Sequence, residues 1–123
     1  MKIALLHLDV AEGPETRNRR SIISAAGEAV SRGADWIVTP ETALQGYFFH
    51  DNNGKLPSFS EKQLSRYLLF AGRNKADMFL SAAEYDERDG KGYNSCFVIN
   101  REGKLLGKHR KMCSHRKGFE RWL

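Results

Sequence analysis

Trp36-Ile37-Val38-Thr39-Pro40-Glu41-Thr42-Ala43-Leu44-Gln45-Gly46-Tyr47 is the stretch that decides the fold class. Trp36 to Thr39 are aromatic or β-branched, the composition of a short strand. Pro40 must end that strand or push it to an edge, because proline brings no backbone donor to a ladder. Glu41 therefore sits just past the C-terminal end of a strand, a position where α/β proteins often put catalytic groups.

Upstream, Ile3 to Leu8 form an almost uninterrupted apolar run, as in a strand covered on both faces, and residues 9 to 15 break it. From Thr16 to Arg32 the residues Ile22, Ala25, Ala26, Ala29 and Val30 recur at helical spacing, and Gly33 is a C-terminal stop. Downstream, residues 42 to 59 combine Gly46, Asp51, Asn52, Asn53, Gly54 and Pro57 with Tyr47, Phe48, Phe49 and Phe59. That is a loop with too many aromatics to be only a linker. Ser60 and Gln63 have the spacing of a capping box, opening a helix with the apolar face Leu64, Tyr67, Leu68 and Ala71 that Asn74 and Lys75 close.

Met78 to Ala83 read as a third strand, Asp86 to Gly92 as a turn or loop, and Tyr93 to Ile99 as a fourth strand. After the turn at Asn100 to Gly103, Lys104 to Lys108 read as a fifth. The order βαβαβββ predicts a mixed α/β sheet, with parallel pairing across the helical crossovers and helices covering only part of it. Residues 110 to 123 show no periodicity, and the chain carries no internal repeat.

A chain of 123 residues, 41% hydrophobic and 28% charged, makes one modest domain. The net charge of +5 is concentrated: residues 101 to 123 hold eight basic and two acidic side chains, while the rest is close to neutral. A basic end without interleaved aromatics or a recognisable motif argues against nucleic-acid binding. Two cysteines make no disulfide framework, which points to a reduced, cytoplasmic protein, and nothing approaches the roughly 20 apolar residues of a membrane span.

The segment around Glu41 resembles the one that carries the catalytic glutamate in the nitrilase superfamily of carbon-nitrogen hydrolases. Further similarities follow in order: the strand Lys2 to Leu8, Asn18, Gly33-Ala34-Asp35, Glu84, Tyr93-Asn94-Ser95, and Gly103-Lys104-Leu105-Leu106-Gly107-Lys108-His109-Arg110-Lys111. The likeness runs from residue 2 to about residue 111. It implies the N-terminal part of a four-layer α-β-β-α sandwich, hydrolysis of a nitrile, amide or carbamoyl compound, and no metal or organic cofactor. By resemblance Glu41 is the general base, and Lys111 stabilises the oxyanion formed when a cysteine thiolate attacks the substrate carbon. This requires the two side chains to meet in one dry cleft.

The family's nucleophilic cysteine lies on a later strand, and the chain finishes at Leu123 before such a strand. The expectation is a partial domain over residues 1 to 123, truncated before the nucleophile strand and inactive alone. Such a chain would expose sheet edge and apolar surface that the complete domain hides, and associate with a second copy or with a missing C-terminal half. Cys96 reads as a small core residue, and Cys113 as an incidental thiol made reactive by basic neighbours. His109, Cys113 and His115 lack the paired spacing of a zinc site. Glu120 is either a second active-site carboxylate or a helix-surface charge. Tyr47, Phe48 and Phe49 line a substrate pocket or pack the loop, and Asn94 is expected to satisfy backbone groups near a strand entrance.

Overall fold

The computed structural model describes residues 1–11, 15–46 and 60–112. The elements are β1 (Ile3–Leu5), α1 (Glu15–Ser31), β2 (Trp36–Val38), α2 (Glu61–Asn74), β3 (Asp77–Asp86), β4 (Lys91–Ile99) and β5 (Leu105–Arg110). They form one five-stranded mixed sheet in the order β1-β2-β3-β4-β5, parallel from β1 to β3 and antiparallel from β3 to β5. Each helix connects two parallel neighbours, as a crossover must.

Local chemistry fixes the helix ends. The Ser60 hydroxyl accepts from the Gln63 backbone N–H, and the Gln63 side chain accepts from the Ser60 N–H, completing the capping box. Lys75 closes α2 in the left-handed region at φ 55°, its N–H bonded to the Ala71 carbonyl. The helix then packs on the turn between β4 and β5, where Gly103 has φ 76° and an added Cβ would lie 2.6 Å from the Leu68 carbonyl oxygen. Only glycine fits that contact.

Registered rows across the sheet separate its two faces. Ile37, Met78 and Ile99 lie side by side and join Ile22 and Ala26 of α1 and Tyr67 and Ala71 of α2 in the buried core. The alternate row, Leu5, Val38, Phe79 and Val98, belongs to the other face. There Leu5 is 76% exposed and Ile3 47%. The expectation that the first strand is covered on both faces is therefore corrected. Its apolar residues alternate between the helix-covered face and one that no described residue covers, and it spans only three residues, at the sheet edge.

The hairpin departs from expectation in the other direction. β3 continues to Asp86 and β4 starts at Lys91, leaving a four-residue turn in place of a longer loop. Side chains extend the ladder: Asp86 takes a hydrogen bond from Arg110 at 2.7 Å, and Tyr93 donates to Asp89. No described helix is long and apolar enough to cross a membrane.

Candidate active site

Strands β2 and β5 run in the same direction, so their C-terminal ends lie at one end of the sheet, with the start of β4 between them. Glu41 follows β2 there and Lys111 follows β5. Two residues 70 apart in sequence thus meet, with Lys111 Nζ donating to Glu41 Oε1 at 3.0 Å.

The turn that presents Glu41 is anchored residue by residue. Thr39 extends the β2–β3 ladder, its N–H donating to the Phe79 carbonyl and its hydroxyl accepting from the Ser81 N–H. Thr42 adopts a left-handed φ of 49°, unusual for a β-branched residue and costing about 1–3 kcal/mol. Its N–H donates to the Ser81 hydroxyl at 3.1 Å, while its carbonyl accepts from Gln45 and Gly46. The Gln45 side chain then pairs with both backbone groups of Ala83 at 2.9 Å. From the helix side, the buried Asn18 amide reaches the Leu44 carbonyl at 3.1 Å.

Asn94 is the connection that sequence reasoning missed. It does not serve only backbone groups: its side-chain amide donates to Glu41 Oε1 at 2.5 Å, while its carbonyl accepts the Lys111 N–H at 2.8 Å. One buried residue therefore touches both members of the pair. The cue available in the sequence was a polar amide inside a strand, a residue type depleted there.

Glu41 and Lys111 border a cavity of about 300 Å³ with Ser81, Asn94, Ser95, Cys96, His109 and Met112. In this chain the Glu41 and Lys111 side chains are 39% and 33% exposed. The cavity's open side belongs to the same face of the sheet that lacks cover at Leu5. Cys96 stands opposite His109 in the β4–β5 ladder and is half-buried on this open face, where a small buried core residue was expected. Burial pushes its thiol pKa up, which disfavours the thiolate.

Strand alternation sends Lys108 and Arg110 to the opposite face. There Lys108 Nζ donates to Glu84 Oε2 at 2.9 Å, Arg110 Nε to Glu84 Oε1 at 2.7 Å, and the Ser95 hydroxyl to Glu84 Oε1 at 3.0 Å. Burial raises the Glu84 pKa, but the donors from Lys108, Arg110 and Ser95 outweigh it and hold the carboxyl below its usual range. Arg110 also lies over the Tyr93 ring, 3.7 Å from its centroid.

Among the described residues no group of three or more His, Cys, Asp or Glu side chains is arranged to hold a metal ion. Tyr47, Phe48, Phe49, Cys113, His115 and Glu120 lie outside the described residues.

The sequence profile of the carbon-nitrogen hydrolase family matches residues 2–120. The omega-amidase NIT2 of Mus musculus is 31% identical over 115 residues, an alignment covering 90% of this chain and 40% of that enzyme. Among solved structures, the NitN amidase from Neterenkonia sp. AN1 superposes with a TM-score of 0.82 at 18% identity, covering 99% of this chain and 48% of that one. Saccharomyces cerevisiae Nit3, a member of branch 10 of the nitrilase superfamily, gives 0.76 at 23% identity, covering 90% and 44%. The chain spans about 40% of the length of the curated relatives it matches. Because the match takes in both the strand that leads to Glu41 and the strand that leads to Lys111, the chain belongs to the carbon-nitrogen hydrolase family.

Proposed function

We propose that this chain supplies the base and the cationic residue of a Glu-Lys-Cys hydrolase acting on a small amide, nitrile or carbamoyl compound. The thiolate comes from the part of the domain that the chain does not span. The observation that carries this reading is the 3.0 Å contact of Lys111 Nζ with Glu41 Oε1 beside a cavity.

In the proposed reaction on an amide, Glu41 takes the thiol proton as sulfur attacks the carbonyl carbon. The carbonyl π electrons move to oxygen, and the Lys111 ammonium steadies that developing negative charge. Collapse breaks the C–N bond, ammonia or an amine leaves with the proton held by Glu41, and a thioester remains. Water then attacks the thioester, giving its proton to Glu41, and the acid departs as the thiol is restored. Lys111 also keeps Glu41 correctly placed, through the same contact that Asn94 shares. A reduced, cytoplasmic setting suits such a thiol.

The chain alone is expected to release no ammonia from acetamide, butyramide or propionitrile. Supplying the remainder of the domain in trans is expected to restore release, and Glu41→Gln or Lys111→Met to abolish it. Turnover by the chain alone that disappears in Cys96→Ala or Cys113→Ala would overturn the assignment of the nucleophile. Restored turnover that survives Glu41→Gln would overturn the assignment of the base.

A second reading is a non-catalytic chain that associates through its uncovered sheet face with a second copy or with a separate C-terminal half. The exposure of Ile3 and Leu5 on that face favours it. Sedimentation of the purified chain tests it: a concentration-dependent dimer that loosens in Leu5→Lys supports self-association, and a monomer at all concentrations removes it.

A further inference from the structure

On the helical side, away from the candidate active site, a groove of about 550 Å³ opens between α1 and α2. Ile23, Leu69 and Phe70 give it an apolar lining, and Arg19, Arg20, Arg66 and Arg73 border it. Arg19 is neutralised by Glu15 at 3.0 Å. Arg20, Arg66 and Arg73 form no ion pair among the described residues, so the groove carries a clustered positive charge. Leu69, lying between Arg66 and Arg73 on α2, is 53% exposed.

Apolar surface left in water is unfavourable, and the positive charge beside it has no counter-charge among the described residues. A ligand that relieves both has an anionic group for the arginines and an apolar body for the lining. Arginine favours phosphate, which it grips with paired N–H donors, and its planar group stacks on aromatic rings. Arg66 and Arg73 are seven residues apart, about 10 Å along the helix. That is room for one nucleoside with its phosphates, and the groove volume falls within the range of about 300–1,000 Å³ found for small-molecule pockets.

We propose that the groove between α1 and α2 is a binding site for a phosphorylated aromatic compound of the nucleoside diphosphate class, separate from the amide-hydrolysing cleft. Its Arg20, Arg66 and Arg73 take the phosphates, and Phe70 and Leu69 take the ring.

Isothermal titration of the whole chain with adenosine diphosphate, inorganic pyrophosphate and adenosine tests the site. Adenosine diphosphate is expected to bind about tenfold or more tightly than either part, because only it meets both requirements. The double variant Arg66→Gln/Arg73→Gln, which keeps good helix formers, is expected to lose about tenfold or more of that affinity with its thermal melt unchanged. The double variant Arg32→Ala/Arg88→Ala removes the same charge elsewhere and is expected to stay within about twofold. Equal loss in the two variants would overturn the site in favour of general charge attraction. Pyrophosphate binding as tightly as adenosine diphosphate would remove the aromatic component. A short single-stranded oligonucleotide that outcompetes adenosine diphosphate would replace the small-molecule site by a nucleic-acid surface, and no heat of binding at millimolar adenosine diphosphate would end the proposal.

Discussion

Glu41 and Glu84 each receive a lysine ammonium, at 3.0 and 2.9 Å, yet they occupy opposite faces of one sheet and opposite physical situations. Glu84 is only 10% exposed and is gripped by Lys108, Arg110 and Ser95. Glu41, at 39%, sits on a turn over a cavity and shares one oxygen between Asn94 and Lys111. The alternation within Lys108-His109-Arg110-Lys111 makes this division, sending every second side chain to each face. A carboxylate enclosed by donors stabilises the fold. One that borders a cavity has space beside it for a reacting molecule.

The largest expected effect is therefore at Glu84. Glu84→Gln leaves Lys108 partly buried without its counter-charge and Arg110 with Asp86 alone, and should cost about 2–3 kcal/mol, at or below the lower end for breaking a buried pair because both cations keep some solvent. Urea unfolding of the purified variant measures it. A loss below about 0.5 kcal/mol would mean the two carboxylates do not differ as argued.

Acid sharpens the same contrast. The folded-state pKa of Glu84 lies below its ordinary value of 4.5, so its contribution to stability is present above that value and drains away as pH falls through the lowered one. The melting temperature should fall steeply below about pH 4.5, and Glu84→Gln should flatten part of that fall. The remainder belongs to Asp77, Asp86 and Asp89, whose carboxyls are held down chiefly by hydrogen bonds from Arg101, from Arg88 and Arg110, and from Tyr93, respectively. A variant that tracks the unmodified chain at every pH would place the acid sensitivity elsewhere.

The order of elements was legible because breakers and caps punctuate it: Gly33, Pro40, the Ser60–Gln63 box and the Asn100–Gly103 turn each mark a real boundary. The meeting of Glu41 with Lys111 follows from that order, since parallel β2 and β5 deliver both residues to one end. The uncovered face was expected from the resemblance to a longer domain and not from the first strand itself, which reads as covered on both sides. Ile3 and Leu5 look alike in sequence whether or not a second layer lies over them, because hydrophobicity reports a preference for cover and not what supplies it. The reach of Asn94 to Glu41 was hidden for another reason: it depends on a left-handed Thr42 and on a turn pinned by Ser81 and Ala83, contacts made about 40 residues apart.

Asn94→Ala probes the connection between the two regions, because Asn94 shares β4 with Ser95, a donor to Glu84. Only the side-chain bond to Glu41 is lost, while the carbonyl of residue 94 still accepts the Lys111 N–H. The expected cost is about 1–2 kcal/mol, lessened by solvent around Glu41. In native-state hydrogen exchange the Lys111 amide should keep its protection relative to the rest of β5. Selective loss of protection at that amide would show that the side chain holds the strand end, and not the carboxylate.

The smallest effect on stability is expected where the proposed chemistry lies. Glu41→Gln keeps the size of the side chain and removes a charge whose partner is itself a third exposed. Solvent-screened pairs of this kind are typically worth about 1 kcal/mol or less, so unfolding in urea should shift only slightly. In the trans-complemented enzyme the same substitution should remove ammonia release, because glutamine cannot take the thiol proton. A large loss of stability without loss of turnover would reverse the roles of the two carboxylates. A large loss of both would mean that Glu41 is needed to hold the turn, and the kinetic effect would then have to be sought in Lys111→Met, which leaves the Thr42, Gln45 and Asn18 anchors of that turn in place.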